Sequence, residues 1–475
     1  MSKPGKIGLA IFCVVAGFVI AGAFIAPRVV HINRYRPEVI SYIERQTSRR
    51  VEIGRLRLSV FPAVSIEVNQ FALANPPGFP NGNWISVQRI DARLDVGALF
   101  KRQVVISALR LKSPVLDLYS GQEGSWNFQA MPPATRVRIP SNDPPPFVFR
   151  EISNLLLTGG QVSIEKLLPN RGRGRPIVRC NGLAARFGHI EIPEWTTLPE
   201  ASTLTSGTSG HVKPGLPVNA VSSSGTLTAA AIWFGNFLAT HIAARVHAAP
   251  ARVSFNGIHF DFYGGHASGN ASLELPAGRY QTHVQMSGVN VGKLLAQVPA
   301  LRGQMTGTMD GQITFSGEVA ASSGPWTGKQ GEGKFAVRNG RWPKLRLGQT
   351  ILELTHLAQL GPASNDVSAF SSVSAGWKLD DGVMEISNLR AIGQGIRLDG
   401  SARVDLTAQD HLHFEGVAEI AARRNLLSSL LAGIAGGSFK GGKIELPIVV
   451  TGTLKQPVLQ LTNGAQFPPP TGSKH

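Results

Sequence analysis

Cysteine is almost missing from this chain, with two in 475 residues. Cys13 lies inside an apolar run and Cys180 stands alone in the body, so neither a disulfide scaffold nor a cysteine-ligand metal pair can be built. Acidic residues are also scarce, 30 Asp and Glu against 47 Lys and Arg, and they form no distinctive pair to serve as the acid and base of a glycosidase. There is no Gly-x-Ser-x-Gly elbow and no His-Glu-x-x-His helix. Zinc-finger, helix-turn-helix and RNP patterns are lacking too, which counts against nucleic acid as the partner of a basic protein. Long helical periodicities are few, whereas 53 Gly and 31 Pro favour an all-β body with many turns.

Three stretches imitate chemistry. Gly437–Lys443 has the spacing of a phosphate loop, but Ile444 replaces the hydroxyl residue that would hold magnesium, and helix-then-strand is the wrong context. His411 and His413 share a strand face with Glu415, where a solvated face is the plainer reading than a metal site. Arg171, Arg173 and Arg175 could meet phosphates, or form a solvated loop. No cofactor site follows from any of them, and nothing here marks an enzyme.

What the chain does have is an uncharged, largely aliphatic run from Ile7 to Pro27, about 30 Å long as a helix and sufficient to cross a hydrocarbon core. It reads as a single transmembrane anchor. A cleaved signal peptide is the rival, with Lys3 and Lys6 as its basic region and Ala21-Gly22-Ala23 as its site, although the apolar run continues past that site. Cations flank both ends, so the positive-inside rule gives no orientation. Net charge is +17 and uneven. Residues 1–50 carry eight Lys/Arg against Glu38 and Glu44, and residues 134–186 carry nine against Asp143, Glu151 and Glu165, a balance suited to anionic lipid head groups.

Beyond the run, Pro37–Glu44 has the pattern of a short amphipathic helix, with Pro37 in the first turn and Val39, Ile40 and Ile43 on one face. From Val51 the pattern is β: Val64, Ile66 and Val68 alternate, followed by strands over Ile85–Val96, Val104–Leu111 and Val115–Tyr119. Residues 131–147 are proline-rich and read as a linker or crossing segment, and 195–224 as a long polar loop. The clearest alternation is C-terminal. Ile396, Leu398, Gly400, Ala402 and Val404 oppose Arg397, Asp399, Ser401 and Arg403; Leu412, Phe414 and Ala418 follow, then Leu446, Ile448 and Val450. With Trp377 before them and Val253, Phe255, Val284 and Met286 further upstream, this predicts an antiparallel meander with one apolar face. Amphipathic helices over Leu345–Leu360 and Arg423–Ile434 could cap it. By pattern alone such a face is ordinary core in any half-buried sheet.

Several stretches, in order, resemble the AsmA family of bacterial envelope proteins. They are Arg50-Val51-Glu52-Ile53, Leu58-Ser59-Val60-Phe61-Pro62, Phe71–Phe79, Leu109–Leu118 and Gly124-Ser125-Trp126-Asn127-Phe128, the last with its Trp and Asn in altered order. Near the other end, Gly333–Gly340 resembles a family turn and Leu446–Pro457 its closing strand pair. The resemblance implies a mainly β fold, an elongated curved antiparallel sheet forming an apolar groove, behind an N-terminal transmembrane helix and with a few short amphipathic helices. Its divisions are then 1–30 as anchor, 31–50 as juxtamembrane helix, 51–130 as an N-terminal AsmA-like domain and 131–147 as linker. A middle β region 148–330, a C-terminal AsmA-like domain 331–462 and a tail 463–475 follow. Implied too are a single-pass place in the inner membrane with the body in the periplasm, and phospholipid carried without enzymatic chemistry in outer-membrane biogenesis. A non-enzymatic scaffold assisting outer-membrane protein assembly is the alternative. Phospholipid, the inner membrane and an outer-membrane or periplasmic protein are the expected partners, and nucleic acid is not. The groove candidates on this reading are Val253, Phe255, Val284, Met286, Trp377, Ile396, Leu398, Val404, Leu412, Phe414 and Leu446.

Overall fold

A computed structural model describes residues 32–101, 103–121, 126–128, 148–168, 173–191, 222–249, 251–274, 278–318, 328–343, 369–393, 396–407, 411–421, 438–440, 443–453 and 456–461. The run Ile7–Pro27, the linker 131–147, most of the loop 195–224, the tail and both amphipathic segments Leu345–Leu360 and Arg423–Ile434 lie outside these residues. Among the described residues no helix is long and apolar enough to cross a membrane. The fold is mainly β, with twenty-one strands among them. They fall into two compact units. One holds the described residues up to 235 with 240–256 and 274; the other holds 236–239, 257–273 and those from 278 onward.

The first unit begins with a 3-10 turn, Ile32–Tyr35, and helix α1, Arg36–Thr47, which has proline at its start, where a missing N–H costs nothing. It stops at Ser48, which is left-handed (φ 52) and donates its N–H to Glu44 O. Ile32, Ile40 and Ile43 pack on Val51, Ile53, Leu56 and Leu73. Strands β1 (Val51–Ile53) and β2 (Leu56–Ser59) both pair with β3 (Ser65–Ala74), and β4 (Asn83–Leu94) follows. A short helix α2 (Val96–Phe100), capped by Asp95 Oδ1 accepting from Ala98 N at 3.1 Å, leads to β5 (Gln103–Ser120). Beyond it come β6 (Val148–Leu167), β7 (Arg173–Glu191) and β8 (Ser223–Phe234), each paired with its predecessor.

The sheet is not wholly antiparallel: β5 and β6 are parallel, Gln103 opposite Val148 and Ser120 opposite Lys166. β6 therefore begins beside the start of β5, as a parallel pair requires. The strands expected at Val104–Leu111 and Val115–Tyr119 are one strand: Ser113 takes a left-handed φ of 48, yet Lys112 stays opposite Arg89 and Pro114 opposite Val87, so the ladder runs through in register. Arg173 and Arg175 belong to β7, not to a loop.

After β9 (Phe237–Ala249) and β10 (Arg252–Phe262), the second unit contains β11 (Gly265–Glu274), β12 (Arg279–Asn290), helix α3 (Val291–Leu295), β13 (Thr306–Glu318) and β14 (Gln330–Arg341). Next are β15 (Ala369–Asp380), β16 (Val383–Gly393), β17 (Ile396–Asp405) and β18 (His411–Ala421). The last three strands are β19 (Ser438–Lys440), β20 (Lys443–Gly452) and β21 (Pro457–Leu461). From β12 to β18 each strand pairs antiparallel with the next, and β20 pairs with β18, β19 and β21. The stretch Gly333–Gly340 is not a turn. It runs inside β14, where Asn339 takes a left-handed φ of 51. The phosphate-loop imitation is a hairpin, Phe439 opposite Ile444 and Lys440 opposite Lys443.

Candidate functional site

The side chains of directly opposed residues in adjacent strands project to the same face, so the pairings fix which residues share a surface. In the second unit one register row runs Val284, Ile313, Gly333, Trp377, Ile386, Ala402, Phe414 and Val450. At about 4.8 Å between strands this row spans roughly 34 Å. Beside it run Phe315, Gly331, Leu379, Met384, Val404 and Leu412. Another row reads Met309, Val337, Val373, Ala391, Leu398, Ala418 and Leu446. Met286 opposes Gly311, and Ile396 opposes Ile420. Nine of the sequence candidates therefore lie on one apolar face. Val253 and Phe255 belong to the first unit.

The glycines in these rows have a packing role. A Cβ on Gly400 would sit 2.6 Å from Phe414 Cζ, and one on Gly416 would meet the same atom at 2.6 Å. The Phe414 ring thus lies across both glycines, as the Trp377 indole lies over Gly333, whose added Cβ would be 2.8 Å from Nε1. Covering glycine with an aromatic ring recovers burial that glycine cannot supply. Burial divides the candidates: Val404, Phe414 and Leu446 are core at 3%, 7% and 1% exposure, whereas Val253, Phe255, Val284, Met286, Trp377, Ile396, Leu398 and Leu412 remain half-exposed. One end of the face is filled by α3, which buries Val291 among Val337, Phe370, Val373 and Ala391, while Trp342 packs on Phe370 with ring centroids 4.6 Å apart.

The opposite face of this unit is charged and internally paired. Asp399 accepts from Arg390 at 2.7 Å and Arg397 at 2.5 Å, and Glu385 from Arg403 at 2.8 Å. Burial alone would raise the Asp399 carboxyl, but hydrogen bonds and charge from the two arginines outweigh it and hold it below its ordinary value. A shallow depression of about 870 Å³ there is lined by Asn388, Arg390, Asp399, Ser401 and Glu415 among others, its arginine paired with Asp399. His413 Nε2 lies 2.7 Å from Glu415 Oε1. Among the described residues no three His, Cys, Asp or Glu side chains group as metal ligands.

The first unit holds a buried polar knot that sequence reasoning did not find. Asn127 is fully buried. Its Oδ1 accepts from Tyr119 N at 3.1 Å, and its Nδ2 donates to Asp117 O at 2.7 Å and Asn75 Oδ1 at 2.8 Å. Its carbonyl accepts from Arg49 Nη2 at 2.6 Å. Arg49 lies over the Trp84 ring, 5.4 Å from its centroid, and burial pulls the guanidinium below its ordinary pKa. Burial pushes Tyr119 and Glu165, opposed in register, upward; Arg173 pulls both the other way. The polar atoms serve the fold: the knot ties the end of α1 to β5 and to the Asn75 turn. Only the Asn-Pro-Pro-Gly and Trp-Asn-Phe stretches signalled it.

Compared with known families, residues 1–170 match the AsmA family, and the mainly β structure is consistent with it. No curated protein and no solved structure matches the chain.

Proposed function

Proceeding from the match of residues 1–170 to the AsmA family, we propose that this is a bacterial envelope protein. On this reading the run Ile7–Pro27 anchors it in the inner membrane, the β body lies in the periplasm, and the apolar face of the second unit binds or conducts phospholipid in outer-membrane biogenesis. The observation that carries the reading is the row from Val284 to Val450, continuous over eight paired strands and backed by a charged face. Acyl chains laid on such a strip leave water at about 0.8 kcal/mol per methylene, while head groups stay hydrated at its rim. Binding needs no covalent step. The half-exposed side chains Val284, Met286, Trp377 and Leu412 are the ones placed to meet lipid, whereas Val404, Phe414 and Leu446 act as the floor that holds the sheet in shape.

The test is lipid extraction and native mass spectrometry of the purified full-length chain. Phospholipid should accompany the wild type and be lost from Val284→Glu with Leu412→Glu, without a fall in melting temperature. Wild-type protein that carries no lipid would end this reading. The burial of Val404, Phe414 and Leu446, with α3 filling one end of the face, supports a second reading, a non-enzymatic scaffold for outer-membrane protein assembly. A stable protein partner on a lipid-free body would favour it.

A further inference from the structure

The end of the first unit formed by the β2–β3 turn and the β4–β5 connection exposes two phenylalanines, Phe61 at 60% and Phe100 at 87%, and Val96 of α2 at 42%. These connections are neighbours, because Leu94 N donates to Val64 O at 2.9 Å. Apolar side chains this large are rarely presented together to water without a use.

The same end carries more cations than anions. A depression of about 200 Å³ beside Pro62 is lined by Ser59, Ser65, Arg89, Asp91, Arg93 and Arg110 among others. Arg89 is held by Glu67 at 2.9 Å and Asp91 at 3.0 Å. Arg110 stands opposite Asp91 in the ladder, but among the described residues neither it nor Arg93 makes an ion pair, and Lys101 follows α2. Arginine forks beside an apolar wedge suit phosphate groups at a bilayer surface.

A third observation fixes the partner. The chain enters the fold at Ile32–Tyr35, where Asn33 Oδ1 accepts from Leu56 N at 3.2 Å. Leu56 pairs with Val68, nearer the Ser65 end of β3 than the Ala74 end. From there α1 carries the chain away, toward Val51, whose N–H meets Glu44 Oε1 at 2.9 Å. The apolar run ends at Pro27, only about 18 Å of extended chain from Ile32. Tyr35, 44% exposed, stands at this entry, and tyrosine favours the membrane interface.

We infer that this end of the first unit rests on an anionic bilayer, with Phe61 and Phe100 inserted at the interface and Arg93 and Arg110 on lipid phosphates. The inference depends on Ile7–Pro27 as a membrane anchor and is independent of lipid carriage by the second unit. Docking at this end would hold the first unit in one orientation on the membrane, which a single anchor helix cannot do.

The experiment uses the full-length chain with Cys13→Ala and Cys180→Ala, reconstituted into vesicles of phosphatidylethanolamine and phosphatidylglycerol. Nitroxide labels go on Phe61→Cys, Phe100→Cys and, as a control on an exposed part of β8, Thr226→Cys. Flotation establishes that the protein is in the vesicles, and power saturation reads each label against oxygen and a water-soluble nickel chelate. The expected result is loss of nickel accessibility at 61 and 100 with oxygen accessibility retained, and full nickel accessibility at 226. Floating protein whose labels at 61 and 100 match the control overturns docking and leaves the anchor standing. Labels shielded from both reagents overturn it in favour of a protein contact, and protein that does not float overturns anchor and docking together. Phe100→Cys alone suffices if Phe61→Cys disturbs the turn.

Discussion

Asn127→Ala is the substitution whose consequences the structure fixes most closely. The truncation removes three side-chain hydrogen bonds at once and leaves Tyr119 N–H, Asp117 O and Asn75 Oδ1 unpaired. A buried group stranded in this way costs about 1–3 kcal/mol. Tyr119 is fully buried, but the Asn127 bonds to Asn75 and Asp117 are only partly buried, so water recovers part of the loss and the sum is about 3–5 kcal/mol. Asn127→Asp sharpens the test. It keeps the size and one acceptor, but turns a second oxygen toward two acceptors, Asp117 O and Asn75 Oδ1, so the amide's donors are lost. The assay is native-state hydrogen exchange with mass spectrometry on peptides covering residues 115–120. At 1.4 kcal/mol per factor of ten, protection should fall about 100- to 3000-fold in Asn127→Ala, and by a similar amount in Asn127→Asp, while peptides from the second unit hold their rates. Asn127→Asp with wild-type protection would refute the reasoning, because the donor bonds would then contribute nothing.

Phe414→Ala should cost about 3–5 kcal/mol, since it empties a buried site and uncovers Gly400 and Gly416, and denaturant unfolding of the second unit would show it as a lower midpoint. Gly400→Ala places a methyl 2.4 Å from Glu415 O and 2.6 Å from Phe414 Cζ; overpacking of this kind costs about 1–3 kcal/mol, and unchanged stability would show that the ring moves aside freely. Glu165 gives a pH signature. Burial, with Asp117, raises its pKa, against the pull of Arg173 and Arg179, so folding favours the neutral acid. The stability of the first unit is therefore intact below the ordinary carboxylate value of 4.5 and declines as pH rises through the raised one. Glu165→Gln should remove that decline and melt above wild type at pH 7, and parallel pH profiles for the two proteins would discard the idea.

The strand content and the apolar face were legible because period-two alternation maps directly onto the two sides of a pleated sheet. Ile396, Leu398 and Val404 of β17 needed nothing beyond that rule. Phe315 and Ile313 obey it equally in β13, and Ile386 in β16, yet they were missed as members of the face, since Gly311 and Gly317 flank the first two on their side of the strand and a register shift follows Ile386. Phe335 was hidden because Gly333–Gly340 reads as a turn, glycine and asparagine being turn formers, although Asn339 is a bulge within a strand. The Asn127 knot was almost silent in sequence. A buried asparagine and a surface one look alike until Asn75, Arg49 and Tyr119 are brought to it from distant positions.

The sequence by itself determined that the chain is β-rich, that one sheet face is apolar and the other charged, and that an apolar run precedes the body. Those properties depend on neighbours along the chain and on transfer free energies that each residue carries with it. Only the tertiary structure decided which strands pair, that β5 and β6 run parallel, that Phe414 is floor while Leu412 is half-exposed, and that Phe61 and Phe100 are exposed at the same end of the first unit. Register and long-range connection set all of these, and a shift of one residue would reverse each face while leaving local composition and alternation unchanged.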